Sequence, residues 1–245
     1  MLIGGSQQIV LLKVLLSGNL LSQERNHMRK WTPYVIVAIA VAASLFQFSQ
    51  LPERMPTHWG MNGEINGWSS RLWGASVIPL ILLLLALMMR WLPTIDPRRA
   101  NHPKFAGTFE GIFISIMLLL LLMHIALLAA AAGYPIRFER WVPVGVGLLF
   151  IVLGNLMPRA RPNWFVGVRT PWTLSSDRVW EKTHRLAGYV FVSAGIIIAI
   201  LGLTGYKFAP PLMGAVIGVA ALSLVVYSYV EWRREGGPVP PSSST

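Results

Sequence analysis

The sequence predicts an all-α membrane protein, a polytopic bundle of six transmembrane helices with N and C termini cytoplasmic. Three observations carry this. Of 245 residues, 54% are hydrophobic and only 13% charged, about half the charged share of a soluble domain. The mean hydropathy of +0.55 means more apolar surface than a soluble fold of this size could hide, so hydrocarbon is the natural solvent. The apolar residues also gather into six stretches, each long enough to cross a hydrocarbon core of about 30 Å, and the connections between them carry the charge.

The stretches are 33–49, 72–92, 111–132, 141–157, 186–205 and 211–230. Pro79 falls inside the second, and the sixth opens on Pro210-Pro211, acceptable where first-turn amides lack partners anyway. The connections sort by charge. One side holds Arg25, Arg29, Lys30, Arg90, Arg98, Arg99, Lys104, Arg159, Arg161, Arg169, Arg178, Lys182, Arg185, Arg233 and Arg234. The other holds Arg54, Arg71, Arg137, Arg140 and Lys207, a threefold bias that places the first side in the cytoplasm. Trp31, Trp73, Trp91, Trp141 and Trp232 sit at helix ends as interfacial anchors. The net charge of +11 follows from these flanking cations. No recognition motif accompanies it, so direct nucleic-acid binding is not expected. The absence of cysteine removes disulfides, thiol nucleophiles and cysteine-rich metal sites together.

Residues 1–27 fit no span: a short apolar run is broken by Lys13, and no small-residue cleavage site follows. Met28-Arg29-Lys30-Trp31 reads as a natural beginning, with 1–27 a dispensable or mis-annotated extension. Beyond it the chain divides into 28–110, a first helical hairpin with an outer loop at 51–71. Then comes 111–235, a four-helix region with a cytoplasmic loop at 158–185, and 236–245 is a Pro/Ser-rich disordered tail.

Two loops carry information. In the outer one, Asn62-Gly63 and Asn66-Gly67 are turn dipeptides. Trp59 and Trp68 suit the headgroup level, and His58, Asn62 and Glu64 are spaced for a polar cluster. One His and one Glu are too few for a metal site, and neither metal nor cofactor is expected. The inner loop interleaves Trp164, Phe165, Trp172 and Trp180 with six basic residues. Thr170, before Pro171, should be extended. Ser175 or Ser176 should cap a helix with Asp177 in its first turn, bringing Trp180 and His184 onto one face and pairing Glu181 with Arg185. Such a segment suits either an anionic leaflet or a docking partner. Within the bilayer, His124 is costly to bury and faces the bundle, either as a functional group or as a neutral imidazole bonded to a neighbouring helix. Asn155 and Glu110 are placed to line one cytoplasmic vestibule. No phosphate-binding Gly loop, His-Glu-x-x-His pattern or nucleophile elbow is present, so no catalytic residue is assigned.

The run Gly154-Asn155-Leu156-Met157-Pro158, then 163–174 (NWFVGVRTPWTL), then 180–185 (WEKTHR) resembles the signature of the SdpI family of bacterial membrane immunity and signalling proteins. The 51–71 loop, through Pro52, Pro56, His58, Asn62, Gly63, Gly67 and Trp68, resembles a small domain of unknown function that often precedes it. The resemblance implies a multi-pass, non-enzymatic protein of the bacterial cytoplasmic membrane. It implies protection against a secreted antimicrobial peptide toxin, together with sequestration of a cytoplasmic repressor. On that reading Pro56, His58, Asn62, Gly63 and Trp68 are the outer ligand-binding residues. Arg159, Asn163, Trp164, Arg169, Thr170, Pro171, Trp172, Trp180, His184 and Arg185 are the inner partner-binding residues, with membrane lipids as further partners. The alternative is a membrane enzyme or carrier acting on a lipid-linked phosphate, held by Arg159, Arg161, Arg169 and Arg185 with His184 as acid–base group.

Overall fold

A computed structural model describes residues 30–60, 63–205 and 209–237. The 1–27 extension, Met28, Asn62 and most of the 236–245 tail therefore lie outside the described residues. Helix α1 (30–47) is followed by a hairpin of β1 (Arg54–Trp59) and β2 (Ile65–Ser70). After these come α2 (Arg71–Ile95), α3 (His102–Ala131), α4 (Phe138–Leu156), the short α5 (Pro171–Ser175), α6 (Asp177–Thr204) and α7 (Ala209–Arg234). Six helical segments are long and apolar enough to cross a bilayer, one for each predicted stretch. The chain is a multi-pass membrane protein.

The helices outrun the apolar stretches because their polar ends continue past the hydrocarbon. α2 passes through both Pro79 and Pro93. α3 begins at His102, kinks at Phe105 (φ −137°, ψ 21°) and runs on past residue 111, so the line drawn between 28–110 and 111–235 falls inside a helix. Phe105 and Phe109 explain this, since both are buried in the inner core with Phe113, Met157, Val166, Ala187 and Leu224. A reading that stops at the charge of Glu110 misses a helix whose next turns are buried against protein rather than lipid.

α3 also belongs to the other two cores. Met117 and Leu121 pack with Ile36 and Ala40 of α1 and Leu82 and Ala86 of α2. Leu128 packs with Leu51, Met55 and Ala75 beneath the hairpin. In the second half, α4 and α6 make the most extensive helix pairing, and small residues permit it. Gly147 and Gly154 face Gly195 and Gly188: a Cβ on Gly147 would lie 2.6 Å from the Gly195 carbonyl oxygen, and one on Gly154 would lie 2.7 Å from that of Gly188. Lipid tails are as apolar as leucine, so close backbone approach and dispersion, rather than burial from water, hold such a pair together.

The outer loop corrects one expectation. Asn66-Gly67 is not a turn but lies in β2, with His58 paired to Gly67 across the ladder. A Cβ on Gly67 would meet the His58 Cβ at 2.6 Å, so the glycine is there for close approach. The turn closes at the other dipeptide's Gly63, which has φ of +81° and whose amide donates to the Gly60 carbonyl at 3.0 Å.

Gly195→Leu should therefore split α4 from α6, an overpacking cost of roughly 3 kcal/mol or more. In detergent this should appear as a lower melting temperature and a broadened elution profile. The lipid-facing Gly218→Leu, which meets nothing within 4 Å, should leave both unchanged.

Candidate functional site

The inner loop folds as a knot built on Asn163. Its Nδ2 donates to the carbonyls of Arg161 and Val166, both at 2.9 Å, and its Oδ1 accepts from the amides of Phe165 (2.9 Å) and Val166 (2.7 Å). All the hydrogen-bonding capacity of the side chain is thereby used. Thr170, extended before Pro171 as expected, forms a capping box with Thr173 over α5 and donates to Ser228 of α7 at 3.0 Å. Ser176 caps α6 by accepting from the Val179 amide, with Asp177 in the first turn.

Trp180 and His184 share a face, stacked at 4.0 Å between centroids, but the face turns inward. Trp180 Nε1 donates to the Ala160 carbonyl at 2.9 Å. His184 Nε2 accepts from the Val168 amide at 3.0 Å, which leaves Nδ1–H to donate to the Trp180 carbonyl at 2.9 Å. Gly167, with φ of +116°, lies directly over that imidazole, and a Cβ there would collide with Nε2. Four expected contact residues are thus corrected: Asn163, Thr170, Trp180 and His184 are buried and hold the loop together. Burial was missed because their polar atoms bond within the loop. Arg159, Trp164, Arg169, Pro171 and Arg185 remain exposed, and Trp172 is half-buried against Tyr229 at 5.1 Å. Arg169 Nη1 donates to the Trp164 carbonyl at 2.9 Å, so these two form one surface feature. Glu181 pairs with Arg161 at 3.1 Å, not with Arg185, because the knot brings Arg161 alongside α6.

Sequence reasoning missed the clamp that holds this knot to the first half. Asp96, between α2 and α3, accepts from His102 Nε2 at 2.9 Å and from the Arg98 amide at 2.7 Å, and reaches across to the Trp164 amide at 3.2 Å. Arg98 donates to the Leu174 carbonyl at 2.9 Å and pairs with Asp177, while Asn101 Nδ2 donates to the Pro162 carbonyl at 2.9 Å. Burial alone would raise the Asp96 carboxyl. The bonds from His102, Arg98 and Trp164 outweigh it and hold the group below its ordinary value. The available signal was Asp96 itself, the one acid in a connection otherwise full of cations. At the α7 end, Glu231 accepts from Lys182 at 2.5 Å and Arg234 at 3.0 Å.

On the outer face, His58 Nδ1 meets Asn66 Oδ1 at 2.5 Å. The partner of His58 is thus Asn66 of β2, not a residue of a turn. Trp59 stacks on Phe138 at 4.0 Å, so it braces the hairpin against α4. Pro56 is buried, whereas Trp68 is exposed. A groove of about 420 Å³ runs under the hairpin, lined by His58, Trp59, Phe138, Glu139, Pro143 and Met213 among others.

Inside the bilayer, His124 is fully buried on α3 and bonds to Ser44 of α1 at 2.8 Å. Ser44 donates onward to the Ala75 carbonyl of α2 at 2.7 Å, so the imidazole Nε2–H is the donor to Ser44 and the chain ties three helices. The shared vestibule is corrected. Asn155 is exposed, bonds back to the Ile151 carbonyl at 2.8 Å and lines a groove between α4 and α6, whereas Glu110 lines a cavity among α1, α2 and α3.

These features define a polytopic membrane protein with a braced hairpin at one face and a clamped polar knot at the other. Residues 159–229 match the SdpI/YfhL protein family, and residues 35–83 match a domain of unknown function, DUF1648. The chain is 27% identical over 203 residues to the "Immunity protein SdpI" of Bacillus subtilis (strain 168), an alignment covering 83% of this chain and 95% of that one. The resemblance to the SdpI family therefore holds over the segment with the inner loop, and the hairpin segment resembles the separate domain of unknown function. No solved structure matches the chain.

Asp96→Asn should lower the melting temperature at neutral pH. Because the folded carboxyl is depressed, its contribution is present above the unfolded value of about 4 and lost as pH falls through the lower folded value. The gap between wild type and variant should persist down to about pH 4 and close below it. An equal gap at pH 3 would show that the charge is not involved.

Asn163→Ala should leave four backbone groups of the knot without partners, at about 1–3 kcal/mol each where water cannot reach them. Limited trypsin digestion of inside-out vesicles should then cut at Arg159 and Arg169, both exposed, faster than in wild type, with the transmembrane fragments intact.

Proposed function

We propose that the chain is a non-enzymatic immunity and signal-transduction protein of the bacterial cytoplasmic membrane, its knot facing the cytoplasm. The observation that carries this is the two-faced construction, joined by one helix. α3 packs under the hairpin at one end through Leu128 and into the knot's core at the other through Phe105 and Phe109. Likeness to a protein named for immunity supports the same reading. The cation bias of the connections supports the orientation.

In this reading a secreted peptide toxin meets the hairpin, where the groove beneath offers aromatic walls with His58 and Glu139 as polar contacts. A toxin shifts the inner face only if it binds one arrangement of the bundle better than another. The readout is the exposed Arg169–Trp164 feature with Pro171 and the outer edge of Trp172, presented to a cytoplasmic repressor. The lipid-phosphate enzyme reading has less support, because His184 uses both ring nitrogens inside the knot and is 1% exposed. Its one ring proton is held by the Trp180 carbonyl inside the knot, out of reach of a bound substrate.

Deleting the gene and challenging cells with the candidate toxin should raise their sensitivity; unchanged sensitivity would sink the immunity reading. Arg169→Ala with Trp164→Ala should lower recovery of the repressor on membranes by about tenfold or more, two exposed anchors being worth over 1 kcal/mol together. Membrane insertion should stay at wild-type level, since neither side chain is in the core. Wild-type capture by the double variant would remove this surface from the docking role.

A further inference from the structure

The cavity among α1, α2 and α3 belongs to neither the hairpin nor the knot's exposed surface. It has a volume of about 470 Å³ and opens at the end of the bundle that carries the cation-rich connections. Its lining changes with depth. Lys30 at the start of α1, Arg90 and Thr94 in the last turns of α2, and Arg99 with His102 before and at the start of α3 form the rim. One to two helical turns deeper, Tyr34, Ala86 and Phe109 form an apolar wall. At 1.5 Å per residue, that step is on the order of 6–10 Å, the depth over which a phospholipid passes from phosphate to acyl chain.

The geometry points to a binding site for the phosphate headgroup of an anionic inner-leaflet phospholipid, with the start of an acyl chain against the apolar wall. Lys30, Arg90 and Arg99 take no part in the ion pairs among the described residues, whereas Arg98, Arg161, Arg178, Lys182 and Arg234 do. The three are brought to one rim by separate elements, an arrangement that repels itself unless an anion sits between them. Asp96 does not line the cavity and is already saturated by His102, Arg98 and Trp164. Glu110 lies on the deeper wall, about two turns of α3 beyond His102, so it does not occupy the rim. Basic pockets between transmembrane helices on the cytoplasmic side are suited to anionic headgroups, each cation near the surface contributing about 1 kcal/mol. A site here would tie the end of the first helical hairpin to the leaflet beside the Asp96 clamp.

The test uses the full chain in phosphatidylcholine nanodiscs with and without phosphatidylglycerol, with retained lipids counted by native mass spectrometry. Wild type should keep phosphatidylglycerol after delipidation, and Arg90→Gln with Arg99→Gln should weaken that retention by roughly tenfold or more. Arg178→Gln with Arg233→Gln removes the same charge from the same face outside the cavity and should retain the lipid as wild type does. Equal loss in both double variants would overturn the site in favour of diffuse surface charge. Inorganic phosphate that raises the melting temperature in pure phosphatidylcholine as much as phosphatidylglycerol does would reassign the rim to a free anion and overturn the lipid. A phosphatidylglycerol-dependent rise in melting temperature, present in wild type and absent from Arg90→Gln with Arg99→Gln, would support it even where retention is too brief to weigh.

Discussion

Hydrocarbon offers no water to an amide or a carbonyl, and it makes burial of leucine against leucine almost neutral. Both facts fall on this chain at once. Spanning segments must be helices, since only a helix satisfies its own backbone. Helix partners must then be chosen by something other than hydrophobicity. In the second half the choice is made by close backbone approach at Gly147, Gly154, Gly188 and Gly195. In the first half it is made by a polar thread, from His124 through Ser44 to the Ala75 carbonyl. Each device places a polar or bare backbone group where only one neighbour can meet it.

At the inner face the same constraint takes another form. The 158–185 loop contains enough polar side chains to be a solvated strap, yet Asn163, Thr170, Thr173, Trp180 and His184 turn inward and bond mainly to the loop's own backbone, with Thr170 reaching Ser228 of α7. Buried polar groups are expensive unless fully bonded, so a network of this kind is specific when complete and fragile when any member is lost. The knot is therefore a rigid platform that exposes a few side chains. Its attachment to Asp96, Arg98 and Asn101 means that movement of α2 against α3 would be felt there directly. α3 with this clamp thus links the hairpin to the knot mechanically.

Some of the site was legible in the chain and some was not, for physical reasons. Thr170 before Pro171, and Ser176 before Asp177, act through local sterics and capping, which sequence spacing expresses. The i, i+4 pairing of Trp180 with His184 followed equally from helical geometry. Spacing alone does not say which way that face points, and it turned into protein. Glu181 has Arg185 one turn away and Arg161 far away in sequence, and the fold chose Arg161. The Asn66-Gly67 dipeptide has the composition of a turn, but His58 lies opposite and needs the space a glycine leaves.

What the sequence determined by itself was the class and its main features: six spans, the unequal distribution of cations, and two loops of unusual composition. Hydropathy and charge act over whole segments against a solvent that is the same for every membrane protein, so they can be read without knowing any contact. Only the tertiary structure decided that α3 joins both halves, that His184 is walled in rather than presented, and that Asp96 fastens the α2–α3 connection to the knot. Those outcomes depend on which groups meet across long separations in the chain, where each bond must also exclude water and leave no partner behind.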